Sequence, residues 1–71
     1  MDADYEKLWT ILKERKMKKK DLIELSGISS NIMAKMSKGE LISMESVKKI
    51  CIALGCDVGD IVVVNKDSET K

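Results

Sequence analysis

Proline, phenylalanine and histidine are missing from the 71 residues, and Tyr5 and Trp9 are the only aromatics. Without proline the strongest helix breaker is gone, and β-branched clusters are few before residue 61, so the composition favours helices. Without histidine, Cys51 and Cys56 cannot complete the usual four ligands of a zinc site. Two cysteines are also too few for a disulfide-stapled secreted scaffold, and neither a leader nor a long apolar run is present. Reduced, buried thiols in a cytoplasmic chain with no membrane contact are therefore expected. No nucleophile paired with a base and no glycine-rich phosphate loop occurs, so no enzyme, cofactor, metal or small-molecule ligand is implied.

What is there is a hydrophobic share of 44%, enough for one compact core. A chain of this length forms one domain, 1–71, and hides only about 60% of its unfolded surface, so it is marginal and often relies on a partner chain. The net charge of +1 is unevenly spread. "KERKMKKK", residues 13 to 20, carries six cations and one anion, which is +5; the rest of the chain then sums to −4. Acids gather at the two ends, in Asp2, Asp4 and Glu6 and in Asp57, Asp60, Asp67 and Glu69. A basic run can be a plain solvated face, but sorting of this kind suits a polyanionic partner.

Apolar spacing predicts a first helix over about Tyr5 to Arg15, with Asp4 as candidate N-cap. Tyr5, Leu8, Trp9 and Leu12 form its inner stripe, broadened by Ile11, and Trp9 reads as a core or staple residue. A second helix is expected over about Lys19 to Ser26, ended by Gly27. A third follows over about Ser30 to Lys38, capped by Ser29 and closed by Gly39. Ser43 caps a fourth helix with Met44, Val47, Ile50, Cys51 and Leu54 on one side, stopped by Gly55. Asp57 begins a short fifth, and "IVVVN" is open between its extension and a short strand, the β-branched run leaning to strand. Residues 65 to 71 read as a polar, frayed tail.

The stretch "SGISSNIMAKMSKG", residues 26 to 39, is the most informative. At 100° per residue from Ser30, Ala34, Lys38, Asn31 and Lys35 fall between roughly 40° and 140°, and Ile32, Met36 and Met33 between roughly 200° and 300°. The wet side holds no acid. Ser and Asn donate and accept at base edges, Lys reaches guanine acceptors or phosphate, and the short Ala34 permits close approach.

"KKKDLIELSGISSNIMAKMSKG" resembles the helix-turn-helix of the Cro/CI-type, lambda-repressor-like (XRE) DNA-binding family. "YEKLWTILKERKM" and "SMESVKKICIALGCDVGDI" resemble the flanking helices of small single-domain members, so the likeness spans about residues 5 to 62. It implies an all-α, five-helix domain with its helix-turn-helix over about 19–38. By the same resemblance Ser30, Asn31 and Lys35 face bases in the major groove of double-stranded DNA, where the short Ala34 beside them allows close approach. Lys19, which stands where the family commonly has Gln, and Ser29 and Lys38 match positions that meet phosphate, and the charges of Lys18 and Lys20 are expected to join them. Three positions depart from the pattern. Ile23 replaces a small residue at the helix crossing, and Leu12 and Ser37 replace both members of a buried Arg–Glu pair, an exchange that can be neutral.

The resemblance further implies a bacterial- or phage-type transcriptional regulator working as a homodimer. Ile61, Val62, Val63 and Val64 are the candidate contact between copies, against the alternative that they close the monomer core. A helical protein-interaction module on the same fold is the competing reading. The lysine cluster beside an acid-free helix face speaks for DNA. RNA binding lacks the aromatic platforms that single strands need.

Overall fold

Five helices and a short strand pair build residues 3–64, the part of the chain that the computed structural model describes. In chain order they are β1 (Ala3–Asp4), α1 (Glu6–Glu14), α2 (Lys19–Ser26), α3 (Ser30–Ser37), α4 (Met44–Leu54), α5 (Val58–Ile61) and β2 (Val63–Val64). The expected frayed tail lies outside the described residues.

Most boundaries follow from local chemistry. Ser29 Oγ accepts from Ile32 N at 3.2 Å, and Ser43 Oγ accepts from Ser46 N at 3.2 Å. Each hydroxyl satisfies a donor that the first turn would leave orphaned, worth about 1 kcal/mol. At α2 the same work falls to Asp21, whose carboxylate accepts from Lys18 N at 2.8 Å. Asp4 does not cap α1 in the expected way. The first bond of the helix runs from Trp9 N to Tyr5 O at 3.0 Å, so Tyr5 is the N-cap residue and the helix begins at Glu6, while Asp4 is taken into the strand pair. The Asp4 carboxylate still reaches forward to accept from Glu6 N at 2.8 Å.

The core draws on every helix: Leu8 and Leu12 of α1, Leu22 of α2, Met33 and Met36 of α3, Ile50 and Leu54 of α4, and Ile61 of α5 are buried. Trp9 and Ile23 are half-buried against this cluster, in keeping with a staple role for the first. Met44, grouped by spacing with the inner side of α4, is instead 67% exposed, because it occupies the first helical position and the covered surface starts further along, at Ser46 and Val47.

The β-branched run after residue 61 does form a strand. Its partner, β1, was not legible in the sequence: Ala3 pairs with Val64 and Asp4 with Val63, antiparallel. Ile61 must be removed from the candidate contact between copies. It is completely buried, pointing into its own core from a helix packed on α1 and α4. For this residue the monomer-lid alternative is correct.

The strand pair also reaches the loop after α3. Ala3 N donates to Gly39 O at 2.9 Å, and Tyr5 Oη donates to Glu40 O at 2.6 Å. Burial raises the Tyr5 phenol above its ordinary value of 10.0. The fold thus favours the neutral phenol: its contribution is complete below pH 10.0 and lost as pH climbs through the raised value. Tyr5→Phe is expected to cost about 1 kcal/mol at neutral pH through the missing bond. It should also blunt the alkaline loss of stability, which urea unfolding at neutral pH and above pH 10.0 measures.

Candidate nucleic-acid interface

Three residues, 27 to 29, turn the chain from α2 into α3. Gly27 sits at φ 83°, a left-handed conformation, and a Cβ there would meet nothing within 4 Å. The demand for glycine is therefore one of backbone conformation alone. Ser26 Oγ closes the turn by donating to Leu22 O at 2.7 Å, with Ile28 N aimed back at it at 3.4 Å. Ile28 is buried beneath. These contacts fix how α3 leaves α2.

The structure then separates the two sides of α3 as the spacing predicts. Met33 and Met36 are buried and Ile32 half-buried, while Ser30, Asn31, Ala34 and Lys35 all face solvent. Lys18, Lys20, Ser29 and Lys38 lie exposed at the ends of α2 and α3. Ser29 uses its oxygen as the helix cap, which leaves its hydroxyl proton free to donate outward. From Ser29 to Lys38 the sequence holds no carboxylate, so nothing on this helix repels a polyanion.

Lys19, expected to meet phosphate, is exposed like Lys18 and Lys20, and its ammonium also has partners within the molecule. Its Nζ donates to Ser37 Oγ at 2.9 Å and lies 4.6 Å from the centroid of the Trp9 ring. For a solvent-exposed ammonium such as this one, a cation–indole contact is worth about 0.5–1 kcal/mol. With Leu12 buried and Ser37 taking the ammonium, α1 and α3 are tied through Trp9, Lys19 and Ser37. No periodicity signals this meeting, because its members sit on three helices. Arg15 was likewise counted with the basic run, yet its Nη2 donates to Leu54 O at 2.8 Å and caps the end of α4. That cation is structural.

Cys51 and Cys56 are free and half-buried. Burial pushes the Cys51 thiol up, helped by the charges of Asp57, Cys56 and Asp60, so it stays a thiol at neutral pH. Among the described residues no group of three or more His, Cys, Asp or Glu is placed to hold a metal ion, and no helix is long and apolar enough to cross a membrane.

Residues 7–67 match the family described as the Cro/C1-type HTH DNA-binding domain, HTH being helix-turn-helix. The chain belongs to this family. Its five helices and terminal strand pair form a Cro/C1-type regulator fold, and DNA binding in transcriptional regulation is what such a domain does. Among solved structures, the crystal structure of transcriptional regulator VanUg, form II, is similar at 41% identity and a TM-score of 0.85. The match covers 90% of this chain and 85% of that one. No curated protein matched the chain.

Proposed function

We propose that this Cro/C1-type domain recognises a specific double-stranded DNA sequence by laying α3 in the major groove. Ser30, Asn31, Ala34 and Lys35 touch base edges, and Lys18, Lys20, Ser29 and Lys38 hold the flanking phosphates. One observation carries this reading: the four groove-facing residues are all exposed on a helix free of carboxylates, anchored from behind by Met33 and Met36. Hydroxyl, amide and ammonium groups are the ones that pair with major-groove acceptors and donors. The phosphate contacts position the domain without reading sequence.

One α3 spans only a few base pairs, so the domain works as a homodimer on half-sites about 34 Å apart. The contact between copies falls to Val62, Val63 and Val64. Val63 is 43% and Val64 55% exposed, on a strand pair joined by no third strand among the described residues. A cytoplasmic setting keeps the half-buried thiols reduced, and no catalytic role is assigned.

Selection from random duplexes tests the reading; a set of enriched sequences that share two related half-sites is the expected result. Titrations of the winning duplex at several salt concentrations add a second measure. Each lysine on a phosphate contributes a slope of about −0.9 in log K against log salt. Lys20→Ala should weaken all duplexes alike and reduce the steepness by about that amount per protomer. A selection that enriches nothing would hand this face to a protein partner instead.

A further inference from the structure

We propose that Lys19 is a positioning residue for base reading: its ammonium, held between the Trp9 ring and Ser37 Oγ, locks the far end of α3 at the tilt the groove requires. The role rests on α3 being the reading helix, as argued above.

Lys19 is the first residue of α2, Ser37 the last of α3, and Trp9 lies within α1. The ammonium is thus the point at which three helices meet, 2.9 Å from the Ser37 oxygen and 4.6 Å from the indole centroid. Trp9 is a firm base for it, half-buried and packed against the core. The helix packing does little to set the angle of α3, which has one main helical neighbour. α1 packs chiefly on α5 and α2 chiefly on α4, while α3 leans mainly on α2. At its start α3 is fixed by the Gly27 turn and the Ser29 cap. Its end is held by Met36 beneath, by Lys19 on Ser37, and by the loop bonds of Gly39 and Glu40.

With the start of α3 fixed by its turn and cap, any slackening of the contacts at its far end appears there as displacement. At 1.5 Å per residue α3 is about 12 Å long, so a tilt of roughly 10° about Ser29 moves its far end by about 2 Å. Lys35 lies two residues before Ser37 and would travel nearly as far. Bidentate pairing with a base edge does not survive such a shift, since hydrogen bonds weaken steeply outside a few tenths of an ångström. A phosphate, met by a flexible lysine, tolerates it. Loss of Lys19 therefore acts on discrimination, through Lys35 far more than through Asn31 near the pivot, and less on general affinity.

The test uses the full chain, its selected duplex and a scrambled duplex, with Lys19→Ala, Lys19→Arg, Ser37→Ala and the Lys19→Ala/Ser37→Ala double variant. Lys19→Ala is expected to lower the preference for the selected duplex about fivefold while affinity for the scrambled one stays within about twofold and the salt slope is unchanged. Ser37→Ala should move the same way by less, and the double variant should be no worse than Lys19→Ala alone. Lys19→Arg keeps a flat cation for the ring and a donor for Ser37, and should retain the preference. Trp9 emission, read without DNA, should shift in Lys19→Ala. In the wild type it should stay put when duplex is added. An equal loss on both duplexes, with a slope shallower by about 0.9, would make Lys19 a phosphate contact and overturn the proposal. Unchanged Trp9 emission in Lys19→Ala would overturn it too, with no reference to DNA. A wild type that binds no duplex takes down the DNA reading itself, and the emission result still tells whether the three-helix contact exists.

Discussion

Leu22→Ala is expected to destabilise the domain by about 3 kcal/mol, within the 2–5 kcal/mol that deleting a fully buried leucine costs. Leu22 is the only buried residue of α2, with no exposed surface, and α2 is the helix that packs on α4 and carries α3. Truncation leaves a cavity that one short helix, pinned by few other apolar contacts, cannot collapse to fill. A chain of 71 residues has about 4–11 kcal/mol of stability at the usual 0.05–0.15 kcal/mol per residue, so the loss removes more than about a quarter of it. Thermal unfolding should show a fall in Tm of about 12–20 °C, and the urea midpoint should drop with it. Ile23→Ala, at a half-buried neighbour, should cost clearly less. A Leu22 variant within 1 kcal/mol of wild type would mean that α2 is held in place by its turn and caps, against the packing described here.

Asn31→Ala and Lys35→Ala are expected to do the opposite, leaving stability alone and erasing preference. Both side chains are exposed on α3, and alanine is a good helix former, so unfolding should move by no more than about 0.5 kcal/mol. On the selected duplex each change should cost about 1–3 kcal/mol, roughly 5- to 150-fold, because a paired base edge loses its partner. The amide of Asn31 suits adenine and the ammonium of Lys35 suits guanine, so the relaxed position in a repeated selection names the base each one reads. On scrambled DNA, Asn31→Ala should bind like the wild type. Lys35→Ala should be weaker there only by its share of the salt-dependent term. Equal losses from Asn31→Ala on both duplexes would sink the groove-reading role of that residue.

These two experiments probe parts of the protein that differ in how openly the sequence displays them. The sides of α3 are a matter of 3.6-residue periodicity, and the solvent exposure of Ser30, Asn31, Ala34 and Lys35 agrees with it. Ser29, Ser43 and Gly27 mark helix ends because capping and left-handed backbone involve atoms within a few residues. The likeness to Cro/CI-type domains rests on the same local signals falling in register, and the family match over residues 7–67 agrees with it. Lys19 marks the edge of that legibility. Its position at the start of α2 was plain, whereas its partners Trp9 and Ser37 come from separate helices.

Most helix ends, most inward-facing residues and the polar, acid-free face of α3 are thus legible along the chain, the start of α1 and the exposed Met44 being the exceptions. Each of these depends on short-range backbone geometry and on the preference of apolar groups to leave water. Only the tertiary structure decided that Ala3 pairs with Val64 and that Ile61 faces its own core. The same holds for Arg15 closing α4 and for the ammonium of Lys19 bridging Trp9 and Ser37. Those outcomes join residues far apart in the chain, and they exist because packing the five helices brings specific donors, acceptors and surfaces together, which no repeat along a single helix encodes.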